Sequence, residues 1–489
     1  MLEDVNQFHL VKVENLPEGW VDSSVSEIVQ IVSTNKKKLA QKNYLEKGAF
    51  PVVDQGQKFI SGFSNDEELL IQDEPPFIVF GDHSRAFKFL NLKFVPGADG
   101  IKVLKPLEVN PKWCFYIFQA IKLPNKGYSR HFQYLKEAYV PLPPPEQQKQ
   151  IVAKIEQLFS HIDAGIEALN IAKQRLKQYR QSVLKAAVTG ELSKEWREEN
   201  IPSIGCTEER SASFSQDALP SVSTSYEPAS QLLEHILKNR HQKWEEQQLE
   251  QFKAKGKLPK NDKWKEKYKE LSSILNGELN SLPDLPDTWL YTKLGNVIEE
   301  PKYGTSKKCT YDSTGIGVLR IPNIAKNVID SEDLKYAVFS ETEKETYQLS
   351  KGDILIIRSN GSIKIVGKCA LIDDKDISYL YAGYLIRLRP NLELVTGAYL
   401  IHCLSSVYLR NQIEFKAKST SGVNNINSGE IQSLVIAICP KEEQLEINRL
   451  VDERLLAIER LSKELDVQLL KAQKTKQSIL ASAFSGKLI

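Results

Sequence analysis

A chain of 489 residues with 41% apolar residues is too long for one small module and can bury cores in two or more domains. Its 65 Lys and Arg against 63 Asp and Glu leave a net charge of +2, which excludes a globally basic polyanion binder, so any nucleic-acid face must come from local clustering. Six scattered cysteines with no CxxC pair argue against structural zinc and a disulfide framework, and an acidic start, MLEDVNQFHL, with no long apolar run predicts a cytoplasmic chain without a membrane segment.

In chain order, residues 1–142 read as a compact α+β domain opened by Leu16-Pro17-Glu18-Gly19-Trp20, with Phe77-Ile78-Val79-Phe80 as a β-branched, aromatic strand. Residues 143–192 open on prolines. They then place Ile151, Ile155, Leu158, Ile162, Ile166, Leu169, Leu176 and Val183 three, four or seven apart, which predicts a coiled-coil helix of roughly 40 residues. Residues 193–284 change character. Ser203 to Ser230 has the composition of a flexible linker, and Gln231 to Ser273 reads as a charge-dense pair of helical stretches around Trp244 and Trp264, solvated or in contact with DNA backbone or a partner subunit.

Residues 285–438 start again with Leu285-Pro286-Asp287-Thr288-Trp289 and predict a second α+β domain. Its strands fall at Asp353–Ile357 and Leu434–Ile438, and a helix at Thr396–Glu414. Residues 439–489 form a second seam through Ile447, Val451, Leu455, Ile458, Leu461, Leu465, Leu469, Ala472, Ile479 and Ala483. The two helical segments align without a gap at a constant offset of 296, including Pro144/Pro440, Gln148/Gln444, Gln181/Gln477, Leu184/Leu480 and Gly190/Gly486. The unit of repetition is therefore a globular domain followed by a long helix. The two globular parts otherwise share little that aligns, which suggests two different targets on one repeated frame.

Catalytic motifs are not supported. Glu74-Pro75-Pro76-Phe77 imitates an amino-methyltransferase tetrapeptide but lacks the amine-accepting first residue and a glycine-rich cofactor loop. Asp284, Glu300 and Lys302 match a metal-dependent nuclease spacing by chance, Asp284 lying beside the repeated Leu-Pro-x-x-Trp motif. No GxxxxGK[ST] loop, HExxH or complete GxGxxG occurs, so no metal site and no cofactor of the chain's own is expected.

The repeated architecture, with PPPEQQKQI at 143–151, PKEEQLEI at 440–447, KAAVTGEL at 185–192, SAFSGKL at 482–488 and KEWRE at 194–198, resembles the specificity subunit of type I restriction-modification systems. That resemblance implies two α+β target recognition domains joined by two long antiparallel coiled-coil helices with pseudo-two-fold symmetry, reading a bipartite, asymmetric site in double-stranded DNA. It also implies partners: two modification subunits and restriction subunits, which would carry S-adenosylmethionine, ATP and magnesium chemistry, while this chain is not an enzyme. The helices would then act as a ruler, since half-sites recurring every ~34 Å need a stiff spacer.

Base-reading residues are sought in loops where Arg, Lys, Asn, Ser and Tyr cluster with Gly. In the first half these are His83, Ser84, Arg85 and Lys88, then Lys126, Gly127, Tyr128, Ser129, Arg130 and His131. In the second they are Arg358, Ser359, Asn360, Ser362 and Lys364, then Lys418, Ser419, Thr420, Ser421, Gly422, Asn424 and Asn425. The competing reading is a coiled-coil adaptor whose globular ends bind proteins, which would show no salt-dependent duplex binding.

Overall fold

The computed structural model describes residues 16–35, 37–97, 100–124, 130–200, 229–259, 261–268, 271, 273–420 and 422–489. Two compact units divide the chain: Met1–Lys173 with Lys463–Ile489, and Gln174–Ser462. Each unit therefore holds one globular domain, the start of the long helix that follows it and the end of the other long helix.

The first unit contains β1 (Val21–Ser24), β2 (Val29–Val32), β3 (Phe50–Val53), β4 (Gly62–Ser64), β5 (Phe77–Gly81), β6 (Phe87–Leu90), β7 (Val95–Pro96), β8 (Ile101–Pro106) and β9 (Tyr139–Leu142). An antiparallel sheet is ordered β2-β8-β5-β6, and a smaller one β4-β3-β7 has β3 and β7 parallel; β1 pairs with β9. The central strand β5 is buried on both faces. Ile78 and Phe80 pack with Trp113 and Phe118 of the helix Pro111–Ala120, while Phe77 and Val79 pack with Val53 and Phe94. This two-sided burial is why the strand reads as a continuous apolar run.

The second unit contains β10 (Leu290–Lys293), β11 (Lys302–Tyr303), β12 (Ile316–Leu319), β13 (Lys335–Ala337), β14 (Ile354–Ile357), β15 (Ser359–Asn360), β16 (Cys369–Leu371), β17 (Leu380–Tyr381), β18 (Leu385–Leu388), β19 (Lys418–Thr420), β20 (Val423–Asn425) and β21 (Val435–Ile438). Its main sheet runs β11-β18-β14-β16 and its smaller sheet β13-β12-β17, with β12 and β17 parallel and β10 paired to β21. Strand for strand, this is the order of the first unit. The two globular domains thus share a topology that their residues do not reveal. The predicted helix at Thr396–Glu414 is two helices, Gly397–Ser405 and Val407–Lys416, because Ser406 is extended and its Oγ accepts the Leu409 N–H at 3.3 Å.

The long helices span Pro145–Val188 and Lys441–Phe484, 44 residues each, or about 66 Å at 1.5 Å per residue. Within the first unit they run antiparallel, since Asp163 pairs with Lys476 and Lys173 with Asp466. Ile151, Ile155 and Phe159 are buried against the first domain, whereas Ile162, Ile166 and Leu169 are only half-buried, as expected of a seam only two helices wide. One predicted seam position is corrected: Leu461 is 55% exposed, and the inward position is Ser462, four residues after Ile458.

One set of contacts accounts for both sequence repeats. The Trp20 indole N–H donates to Gln147 Oε1 at 2.7 Å, and that of Trp289 donates to Glu443 Oε2 at 2.9 Å; the two acceptors are separated by the same offset of 296. Gln148 Nε2 donates to the Pro143 carbonyl while its Oε1 accepts the N–H of Asn110, the cap of the helix Pro111–Ala120. Gln444 does the same with the Cys439 carbonyl and the N–H of Thr396, which caps Gly397–Ser405. Gly486 (φ +72°) lies so close to Pro17 that a Cβ would come within 2.3 Å of its Cγ, and Gly190 (φ +79°) within 2.5 Å of Pro286 Cγ. A glycine ends each helix because the Leu-Pro-x-x-Trp proline of the same unit occupies the space.

Residues 194–200 form a short helix, residues 201–228 lie outside the described residues, and Ala229–Ala254 is one 26-residue helix followed by a 3₁₀ turn at Asp262–Lys267. The expectation of a solvated helical pair needs correction. Leu232 and Ile236 are buried in the second domain's core, Arg240 Nε donates to the Gly295 carbonyl at 3.2 Å, and Lys243 Nζ donates to Asn391 Oδ1 at 2.7 Å. Trp244 stacks on Trp264 with centroids 5.8 Å apart, folding the turn back on the helix. Among the described residues no helix is long and apolar enough to cross a membrane.

Candidate nucleic-acid interface

In each domain the main sheet's central strand ends in a polar turn, and a second segment, from just upstream of the long helix, closes on it. In the first domain the turn is Gly81–Arg85, between β5 and β6. Asp82 is buried at its centre: its carbonyl accepts the His131 N–H at 3.1 Å and lies 2.9 Å from Nδ1, and its carboxylate accepts the Phe132 N–H at 2.7 Å. The two stretches picked out in the sequence, near 83 and near 131, are therefore neighbours. Arg85 sits in left-handed backbone at φ +58°, half-buried, and Arg130 is exposed. Lys102 lies over the Phe132 ring at 5.4 Å.

Three of the first domain's candidates are corrected. Lys88 is 6% exposed, and its ammonium donates to the carbonyls of Asp54 at 2.8 Å and Lys58 at 2.5 Å, so it cannot reach a base. Burial lowers its pKa, opposed by the charge of Asp54. His131 is fully buried on Asp82, and the Ser84 hydroxyl is engaged by the Gln55 carbonyl at 2.5 Å. Each holds the scaffold. His83 is half-buried, with its N–H donating to Gln55 Oε1 at 3.3 Å. Lys126, Gly127, Tyr128 and Ser129 lie outside the described residues.

In the second domain the chain leaves β14 through Arg358 into β15, and the hairpin β19–β20 adds to it as a three-stranded sheet ordered β15-β20-β19. Ser359 faces Asn425 and Asn360 faces Asn424, so the two sequence-selected stretches form one small sheet. Gly422 turns the hairpin at φ +78°. Asn424 Nδ2 donates to the Gly361 carbonyl at 3.1 Å, Asn360 Oδ1 accepts the Ser362 N–H at 2.9 Å, and Asn425 Oδ1 is buried with no hydrogen-bond partner among the described residues. Ser362 and Lys364 are exposed. Ser359, 8% exposed, is corrected to a scaffold position. Ser421 and the side chains of Lys418, Ser419 and Thr420 lie outside the described residues.

Arg358 is held rather than free. Its Nε donates to the Gly383 carbonyl at 2.9 Å and its guanidinium lies 4.9 Å from the Tyr303 ring centre, and the Tyr303 hydroxyl accepts the Ser428 N–H at 3.0 Å. Tyr303, 38% exposed, and Tyr384, 60% exposed, whose carbonyl accepts the Arg358 N–H at 3.0 Å, belong to this surface and were missed. The signal was present: Lys302-Tyr303-Gly304-Thr305 and Tyr381-Ala382-Gly383-Tyr384 both mix Tyr with Gly. Such aromatic and cationic side chains beside amides supply stacking, phosphate and base-edge contacts.

Comparison with known proteins follows the same two-part division. The family described as type I restriction modification DNA specificity domain matches residues 17–171 and again 286–466. The specificity subunit of the type I restriction enzyme EcoKI from Escherichia coli strain K12 is 24% identical, over 97% of this chain and 90% of that protein. The corresponding StySPI subunit from Salmonella potsdam is 23% identical over the same shares. A solved chain described in terms of complex assembly and conformational transition of the type I R-M system matches in fold with a TM-score of 0.58 at 15% identity, covering 96% of this chain and 99% of that one.

Proposed function

The chain belongs to the type I restriction-modification DNA specificity family, whose members recognise DNA sequence and leave catalysis to other subunits, and from that premise we propose that each of its two domains reads one half of a bipartite, asymmetric duplex site. The observation that carries this reading is the repeated convergence: in both domains the end of the central strand meets the segment just upstream of the long helix, at Asp82 with His131 and at Asn360 with Asn424. Arg85, Arg130, Lys364, Asn424 and Tyr384 supply the outward chemistry, and differences between the two surfaces make the site asymmetric. The paired helices set the gap between half-sites. Two modification subunits and the restriction subunits assemble on this chain in the cytoplasm and contribute S-adenosylmethionine, ATP and magnesium.

Competition binding tests this reading. The complex of this chain with its modification subunit, mixed with pooled genomic duplex fragments, is expected to retain a small sequence-defined subset, more weakly as salt rises. Retention of all fragments alike, or of none, would contradict sequence reading and favour the adaptor.

A further inference from the structure

The connection between β3 and β4, residues 54–61, contains none of the residues singled out in the sequence, yet several separate parts of the first domain close on its base. Three glycines from separate parts of the domain make room for its base. A Cβ at Gly81 would lie 2.9 Å from the Gln55 carbonyl, one at Gly97 2.6 Å from Asp54 Cβ, and one at Gly100 2.6 Å from Gln55 Oε1. Asp54 Oδ1 accepts the Gly56 N–H at 2.8 Å and the Ser61 hydroxyl at 2.6 Å, and Ser84 Oγ donates to the Gln55 carbonyl. The Lys88 ammonium closes the loop by donating to carbonyls at two points along it, Asp54 and Lys58, with Asp54 Oδ1 3.9 Å away. A buried ammonium is retained only where such partners satisfy it.

What this frame holds outward is Gln57, Lys58, Phe59 and Ile60, all exposed; Phe59 is 51% exposed. An amide, a cation and an apolar ring are the groups that pair with adenine, with guanine or phosphate, and with the thymine methyl. We propose that the loop Gln55–Ile60 reads base edges of the half-site bound by the first domain, and that Lys88 is the positioning residue that sets the loop's shape. This rests on the DNA-recognition reading above. The second domain has a partial counterpart: half-buried Lys368, just ahead of β16, donates to one carbonyl, that of Ala325 at 2.6 Å, in the connection between β12 and β13 that corresponds to the loop between β3 and β4.

The test maps methylation in DNA from cells expressing the full complex with wild-type chain, Lys88→Met, Lys368→Met, or the loop substitutions Gln57→Ala, Lys58→Ala and Phe59→Ala. Lys88→Met and the loop variants are expected to reduce discrimination about 5- to 150-fold at base pairs of one half-site, leaving the other half-site and the gap unchanged. Lys368→Met is expected to act on the other half-site alone. Loop variants that leave both half-sites intact would overturn the proposal, and because these residues are exposed they keep it testable if Lys88→Met fails to fold. Equal loss at both half-sites in Lys88→Met would also overturn the positioning role. A wild-type complex that yields no bipartite motif would overturn the underlying DNA reading and this inference with it.

Discussion

Trp20 and Trp289 donate to equivalent positions of the two long helices, but one acceptor is the neutral Gln147 and the other the charged Glu443. Glu443 is fully buried and also takes the Ser193 hydroxyl at 2.7 Å and the Arg197 guanidinium at 2.5 Å. Removing it takes the counter-charge from a largely buried arginine, which keeps its hydrogen bonds to the Gly190 carbonyl and the Ser193 hydroxyl. Glu443→Ala is expected to lower stability by about 3 to 5 kcal/mol, against about 0.5 to 1.5 kcal/mol for Gln147→Ala, read as shifts of the denaturation midpoint. Equal shifts would contradict the difference in charge burial. His402 gives a second residue-scale outcome. Its pKa is pushed down to about 4 by burial and, secondarily, by the charge of Arg180. The unfolded chain takes up this proton near 6.5 and the folded chain only near 4, so this contribution is fully present above pH 6.5. It falls with acidification between those values by at most about 3 kcal/mol. His402→Leu is expected to flatten that decline in thermal midpoint between pH 7 and 4.5; an unchanged decline would show that other groups cause it. Residue identity announced polar turns in the right places, but Lys88 and His131 were misread because exposure is a property of three-dimensional neighbours.

At the scale of elements, the helices and the long apolar strands were legible in the sequence. Period and Pro/Gly boundaries mark Pro145–Val188 and Lys441–Phe484 to within a few residues, and Phe77–Phe80 and Ile354–Ile357 both announce doubly buried strands. The common strand order of the two domains was not legible. Its smaller sheets use strands of two to four residues, such as Val95–Pro96 and Leu380–Tyr381, too short to carry a period. The docking of Ala229–Ala254 was hidden for a related reason, since it depends on what the second domain's core presents to it, whereas the break at Ser406 is a local serine cap set inside an unbroken apolar helical period. The helix register leads to an element-scale expectation. Asp163 opposite Lys476 and Lys173 opposite Asp466 place Ile171 opposite Gln468 and Ala172 opposite Val467. Inserting one heptad after Ile171 and one after Val467 adds about 10.5 Å of helix, or about three base pairs of duplex. The gap in the recognised site is expected to lengthen by about that amount with both half-sites unchanged, as read by methylation mapping. An unchanged gap would contradict the role of the helices as spacer.

For the molecule as a whole, near-neutral net charge and the lack of a catalytic motif pointed to local binding surfaces, and membership of the specificity family agrees with that reading. The most direct measurement is single-molecule methylation mapping of DNA from cells that express the modification subunit with and without this chain. A bipartite motif with a fixed gap, present only when the chain is present, is the expected result. An unchanged methylation pattern, despite a stable complex between the two subunits, would contradict sequence reading by this chain.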